Sequence, residues 1–195
     1  PNLILTVPLI LEKIYKKMIL PQLSKTTMKV ALNIPLLDSR IYAQIRKKLV
    51  DAFGGRFREV IVGGAAMNEE VTNFLYKIKF PFTIGYGMTE CGPLISYDHN
   101  DEYVPGSCGQ ILKGIMKVRI DSEDPYNKVG EIQVSGENVM KGYYKNEEAT
   151  SKVFTEDGWL RTGDLGTIDA DNRIYNRGRS KTMNSGASGH NTYQA

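Results

Sequence analysis

The stretch from Thr83 to Gly92 reads TIGYGMTECG and gathers the residue types that a nucleotide site needs. Gly85 and Gly87 flank Tyr86, so the backbone can turn sharply there and approach a ligand closely. Tyr86 offers a flat surface for a base. Thr89 offers a hydroxyl donor for phosphate, and Glu90 an anionic oxygen for a hard cation such as Mg²⁺. Taken alone, the same residues also fit a strand end followed by a Gly-rich turn.

The elements around this stretch form a βαβ pattern. Arg58 to Val62 (REVIV) reads as a short buried strand and runs into Gly63-Gly64-Ala65-Ala66. A helix follows, capped near Asn68, with Glu69 and Glu70 in its first turn and Val71, Phe74, Leu75 and Ile78 on its apolar face. The next strand is Phe82 to Tyr86. Strand, glycine turn, helix and strand in this order predict parallel strands, with both glycine clusters on the sheet edge where the strands end. Upstream, Thr6 and Pro8 read as a helix start. Leu11, Ile14, Tyr15 and Met18 then repeat at helical spacing to Leu20, where Pro21 is expected to end the run. A second helix is expected from Asp38 to Phe53, with Ile41, Ile45 and Leu49 on one face and Arg46, Lys47 and Lys48 solvated. Gly54-Gly55 closes it. Ser24 to Pro35 has no clear period.

After Cys108 the texture changes to short strand candidates: Ile115 to Ile120, Gly130 to Ser135, Trp159 to Arg161, Gly166 to Ile168 and Arg173 to Asn176. One helix, capped near Asn146, interrupts them. The fold class expected is therefore α/β: a parallel βαβ part, residues 1–108, followed by a small antiparallel β subdomain or distorted barrel, residues 109–180. The boundary is expected near Gly106 to Gly109.

Composition narrows the function classes. The chain has 195 residues, 41% hydrophobic and 24% charged, as expected for a globular protein with a core. A net charge of +3 gives no argument for a nucleic-acid partner. Cys91 and Cys108 have neither metal-ligand spacing nor a disulfide framework, and reduced thiols in a cytoplasm are expected. No apolar run has the length of a membrane span. With Pro1 at one end and Gln194-Ala195 at the other, the chain is expected to be a fragment.

The wording is more specific than the chemistry. Gly85-Tyr86-Gly87-Met88-Thr89-Glu90 resembles the Tyr-Gly-x-Thr-Glu signature of acyl-adenylate-forming enzymes, which include acyl-CoA synthetases, luciferases and peptide-synthetase adenylation domains. Four further segments resemble the same family in the same order. They are Val62 to Ala66, the GEIxVxG…GYY stretch from Gly130 to Tyr144, the W-x-R-T-G-D segment from Trp159 to Asp164, and Asn176 to Lys181. Asp164 alone reads as a turn carboxylate and Arg179 alone as a surface charge; five segments in register change that reading. With VPLILEKIYKK near the start, the wording is most similar to bacterial long-chain fatty-acid–CoA ligases.

The resemblance implies roles. Gly63, Gly64 and Ala65 would line the adenine and acyl pockets. Tyr86, followed by Gly87, would stack on adenine, a contact worth roughly 1–3 kcal/mol. Thr89 and Glu90 would be catalytic, Thr89 toward the α-phosphate and Glu90 toward Mg²⁺. Asp164 would accept hydrogen bonds from the ribose hydroxyls, with Arg179 and Asn176 facing the same site. Lys181 would be the hinge to a C-terminal domain, beginning at residues 181–195. The implied reaction uses ATP, Mg²⁺ and coenzyme A. A carboxylate is activated as acyl-AMP and then transferred to the coenzyme A thiol, so the activity would be that of an acid–thiol ligase. The expected partner is a small carboxylate, a long-chain fatty acid, whose lipid character would allow peripheral membrane association. The family's phosphate loop and its C-terminal lysine are not found here, and the fragment alone is expected to be inactive. Adenylation of an amino or aryl acid is the alternative within the class. A non-catalytic nucleotide-binding module is the alternative outside it, and the retained Glu90, Asp164 and Arg179 argue against that one.

Overall fold

The computed structural model describes residues 1–34 and 37–179 and, as backbone strands only, 183–185 and 191–193. The chain divides into two compact units. The first comprises Pro1–Ile84 and His99–Gly106, the second Gly85–Asp98 and Ser107–Ala195. A single boundary near Gly106–Gly109 was expected. The chain instead passes between the units after Ile84, after Asp98 and after Gly106. The segment from Gly85 to Asp98 goes with the β-rich unit because Tyr86, Cys91 and Ile95 pack into that unit's core.

In the first unit, β1 (Leu3–Thr6), β2 (Glu59–Val62) and β3 (Phe82–Ile84) form a parallel sheet in the order β1-β2-β3. Parallel neighbours need long crossovers. Helices α1 (Pro8–Ile14), α2 (Leu20–Leu23), α3 (Thr26–Leu32) and α4 (Leu37–Ala52) lie between β1 and β2, and α5 (Glu69–Lys77) between β2 and β3. The register pairs Ile4 with Val60 and Val60 with Phe82, and these side chains enter one core with Leu11, Tyr15, Leu49, Val71 and Leu75. Glu59, one residue out of phase with Val60, is fully buried. A buried carboxylate must be hydrogen-bonded; Glu59 accepts from the backbone N–H of Asn100 at 3.0 Å and from its Nδ2 at 3.1 Å.

Thr6 is not a cap: it ends β1, and Val7 occupies the N-cap of α1. Pro21 does not end the helical run either. Tyr15–Ile19 forms a π turn in which the Leu20 N–H reaches the Tyr15 carbonyl, and Pro21 sits in the first turn of α2, where a missing N–H costs little. The wider turn also shifts the apolar face by one residue, so that Ile19 is buried and Met18 exposed. Thr26–Leu32, without a clear period in the sequence, is helical. Asn68 caps α5 as its residue type predicts, its side chain accepting from the Val71 N–H at 3.2 Å.

The second unit holds the hairpin of β4 (Tyr86–Gly87) and β5 (Leu94–Ser96). It also holds an antiparallel sheet of β6 (Met116–Asp121), β7 (Gly130–Gly136), β8 (Leu160–Ile168) and β9 (Ile174–Arg179) in sequential order. Helix α6 (Glu147–Val153) connects β7 to β8, and β10 (Met183–Ser185) pairs with β11 (Asn191–Tyr193). The four-stranded sheet is open: β6 and β9 are its edges, and it is not a closed barrel. Ile120, Ile132, Val134, Leu160 and Ile174 fill its core. Two expected strands, Trp159–Arg161 and Gly166–Ile168, are one strand, β8. Lys181, expected as the hinge residue, lies outside the described residues.

Candidate functional site

In the second unit, the predicted site residues are held by two irregular devices. The first is the turn between β4 and β5. Gly87 crosses so close to Pro93 that an added Cβ would lie 2.0 Å from the Pro93 carbonyl oxygen, which excludes any side chain there. The Met88 N–H donates to that same oxygen at 2.8 Å. The chain then makes a 3₁₀ turn, Thr89–Cys91, that leaves Thr89 exposed and Glu90 half-buried. The loop after β7 grips this turn. Asn138 Nδ2 donates to the carbonyls of Cys91 at 2.6 Å and Leu94 at 2.8 Å, and the Met140 N–H donates to the Glu90 carbonyl at 2.7 Å. The Tyr143 hydroxyl donates to Glu90 Oε1 at 2.9 Å. That bond, ahead of burial, raises the Tyr143 phenol pKa.

The second device is a bulge in β8. Gln133 pairs with Arg161 and Glu131 with Leu165, so Thr162, Gly163 and Asp164 all stand opposite Ile132. Gly163 takes a φ of +72° at the apex. The Thr162 hydroxyl donates to the Ile132 carbonyl at 2.7 Å and accepts the Asp164 N–H at 3.1 Å. Asp164, 6% exposed, is thereby aimed at two donors. Tyr86 Oη donates to Asp164 Oδ2 at 2.8 Å, and Arg179 Nε donates to Oδ1 at 3.0 Å. Tyr86 is 8% exposed. Burial, then the negative charge of Asp164, pushes its phenol far above the ordinary tyrosine range, so it remains a neutral donor.

A further register shift aligns Asn176. Asp164 pairs with Arg179 and Gly166 with Asn176, which leaves Arg177 as an extra residue of β9. Asn176 and Arg179, three apart, would point to opposite faces of a regular strand. The extra residue puts both opposite residues two apart on β8. Asn176 Oδ1 accepts the Gly178 N–H at 2.8 Å and closes the shift.

Tyr86, Asp164 and Arg179 are thus joined directly, and Asn176 shares the register of Arg179. Glu90 belongs to a separate contact with Tyr143. Gly63, Gly64 and Ala65 belong to the first unit, where they follow the C-terminal end of β2; the Gly63 N–H donates to the Thr6 carbonyl at 3.1 Å and Gly64 takes a φ of +86°. Sequence reasoning gave no role to Glu131, Asn138, Tyr143 or Thr162. Tyr143 and Glu90 lie 53 positions apart, and no local spacing links them.

Among the described residues no group of three His, Cys, Asp or Glu side chains could hold a metal by itself. Glu90 fits a cation of another kind. Oε1 is engaged by Tyr143 and Oε2 has no hydrogen-bond partner among the described residues, which suits Mg²⁺ bound through one carboxylate and completed by phosphate oxygens and water.

A family model described as AMP-binding enzyme matches residues 1–144. The chain is 35% identical over 162 residues to 4-coumarate-CoA ligase 1 of Narcissus pseudonarcissus, which covers 76% of this chain and 29% of that relative. It is 32% identical over 181 residues to long-chain-fatty-acid–CoA ligase 1 of Saccharomyces cerevisiae, covering 85% of this chain and 26% of the relative. Among solved structures, the crystal structure of ATP-bound MatB from Rhodopseudomonas palustris superposes with a TM-score of 0.71 at 27% identity, over 99% of this chain and 33% of that one. The chain therefore spans between a quarter and a third of the length of these three proteins. On the family match and the shared fold, the chain belongs to the AMP-binding enzymes.

Proposed function

We propose that the chain carries the adenosine-handling part of an ATP-dependent acid–thiol ligase. The observation that carries this reading is the Asp164 carboxylate, held on a bulge between a neutral phenol and a guanidinium. A nearly buried acceptor with fixed donors on two sides is suited to the paired hydroxyls of a ribose. Tyr86 orients Asp164 through its hydroxyl and offers its ring to the adenine. Arg179, 69% exposed along its side chain, brings positive charge to the ribose and phosphates. Thr89 donates to the α-phosphate. Mg²⁺ supplies neutralisation of the phosphate charge when bound, and Glu90 is the residue that would hold it.

In the proposed reaction a substrate carboxylate attacks the α-phosphorus of ATP, pyrophosphate leaves, and the coenzyme A thiol then displaces AMP. The first step brings an anion to a polyanion, so positioning and charge compensation dominate it. For the carboxylate we favour a long-chain fatty acid, supported by the wording of Val7 to Lys17 and by the yeast relative. An aryl acid is the second reading, favoured by the similarity to a 4-coumarate ligase. Acid-dependent pyrophosphate exchange decides between them, measured in an enzyme of the relatives' full length that carries this chain. Exchange driven by palmitate and not by 4-coumarate supports the first reading; the reverse supports the second. Exchange with neither, alongside intact nucleotide binding, would favour a non-catalytic module.

A further inference from the structure

The geometry points to Glu131 as a positioning residue for Asp164. The inference rests on the proposed function, in which Asp164 meets the ribose. The bulge that presents Asp164 is locked on its inner side by Thr162, which bridges the Ile132 carbonyl and the Asp164 N–H. Its apex, Gly163, has no such packing: a Cβ built there would meet nothing within 4 Å. What holds the apex is the Glu131 carboxylate. Oε1 accepts the Gly163 N–H at 3.3 Å, and Oε2 accepts from Arg161 Nη1 at 3.0 Å. Glu131 pairs in register with Leu165, the residue after Asp164. One side chain therefore ties the residue before the bulge to its apex from a strand position just beyond it. Glu131 is 21% exposed along its side chain, so its bond to the Gly163 N–H is partly shielded, whereas its Arg161 partner is 44% exposed. Freed from Glu131, the apex glycine has other backbone conformations open to it at little cost, and the Asp164 carboxylate would lose its aim at a pair of ribose hydroxyls.

The test is the preference for AMP over 2′,3′-dideoxy-AMP, titrated on this chain by NMR. A ligand hydroxyl accepted by a fixed carboxylate should give the wild-type chain a preference on the order of tenfold. Glu131→Ala should reduce it to about threefold or less, while affinity for 2′,3′-dideoxy-AMP stays within about twofold of wild type. Loss of overall fold would instead weaken both ligands together. Glu131→Gln keeps an acceptor for the Gly163 N–H and should retain at least half of the preference. Should Glu131→Ala fail to fold, Arg161→Met removes the shortest of the three hydrogen bonds to Glu131, the others coming from the Gly163 N–H and from Gln133 Nε2 at 3.5 Å, and should lower the preference by half or more. A wild-type ratio in Glu131→Ala, or in Arg161→Met where that variant stands in, overturns the inference. Nucleotide binding by the wild-type chain without any ribose preference overturns instead the reading of Asp164 as the ribose acceptor, and the inference with it.

Discussion

Asp164 is the residue on which most of the site converges, and removing it gives the sharpest expected loss. Asp164→Ala should weaken AMP and ATP binding by about 1.5–3 kcal/mol, since the ribose loses a charged acceptor. Calorimetric titration checks this; an unchanged affinity would reduce Asp164 to a partner of Tyr86 and Arg179. Tyr15 gives an independent test in the first unit. Its hydroxyl donates to Glu70 at 2.8 Å, and burial, then that bond, pushes its phenol up to about 12 from the usual 10. Between these values the unfolded chain has released a proton that the folded chain keeps, so stability is full below pH 10 and falls as pH rises toward 12. Tyr15→Phe should flatten part of that fall in thermal melts across the same window. Tyr86 contributes to the same alkaline loss, so some slope should remain. At this scale the sequence singles out Tyr86, Glu90, Asp164 and Arg179, because their types sit inside recognisable wording, and the structure joins Tyr86, Asp164 and Arg179 directly. It left Glu131, Asn138 and Tyr143 illegible as supports, because each acts across strands or loops far away in the chain.

Two glycines separate close approach from backbone conformation at the scale of elements. Gly87→Ala places a methyl against the Pro93 carbonyl, so the β4–β5 hairpin must open. Overpacking of this kind costs about 1–3 kcal/mol. Gly163→Ala meets open space but retains a φ of +72°, for which about 1–2 kcal/mol is expected. Urea unfolding of both variants should show loss of stability. Gly87→Ala should also disturb the amide resonances of Met88 to Leu94, whereas Gly163→Ala should disturb those of Glu131 to Asp164. The same irregular elements explain what the pattern could not convey. The α5 helix was legible to its cap because Asn68 and two following glutamates act locally. The π turn at Tyr15–Ile19 was not, since a single wide turn changes the period without changing residue type. β8 looked like two strands because its middle, Thr162-Gly163-Asp164, carries turn chemistry and is in fact a bulge.

At the scale of the molecule, the order of parallel strands followed by antiparallel ones was legible from the switch in texture after Cys108. The threefold crossing between units was not, because hydrophobic pattern shows that a segment is buried and not which core it enters. The role proposed for this chain is to handle the adenosine portion of the nucleotide. In the proposed reading Tyr86, Asp164, Asn176 and Arg179 would address adenosine and its nearest phosphate, and only Glu90, through Mg²⁺, would extend beyond. Titration of the chain with AMP and with ATP in the absence of Mg²⁺, followed by amide NMR, tests that role. Similar, weak affinities and shifts centred on Tyr86, Asp164 and Arg179 are expected for both ligands. Strong preference for ATP, no binding of either nucleotide, or shifts confined to another surface would contradict it.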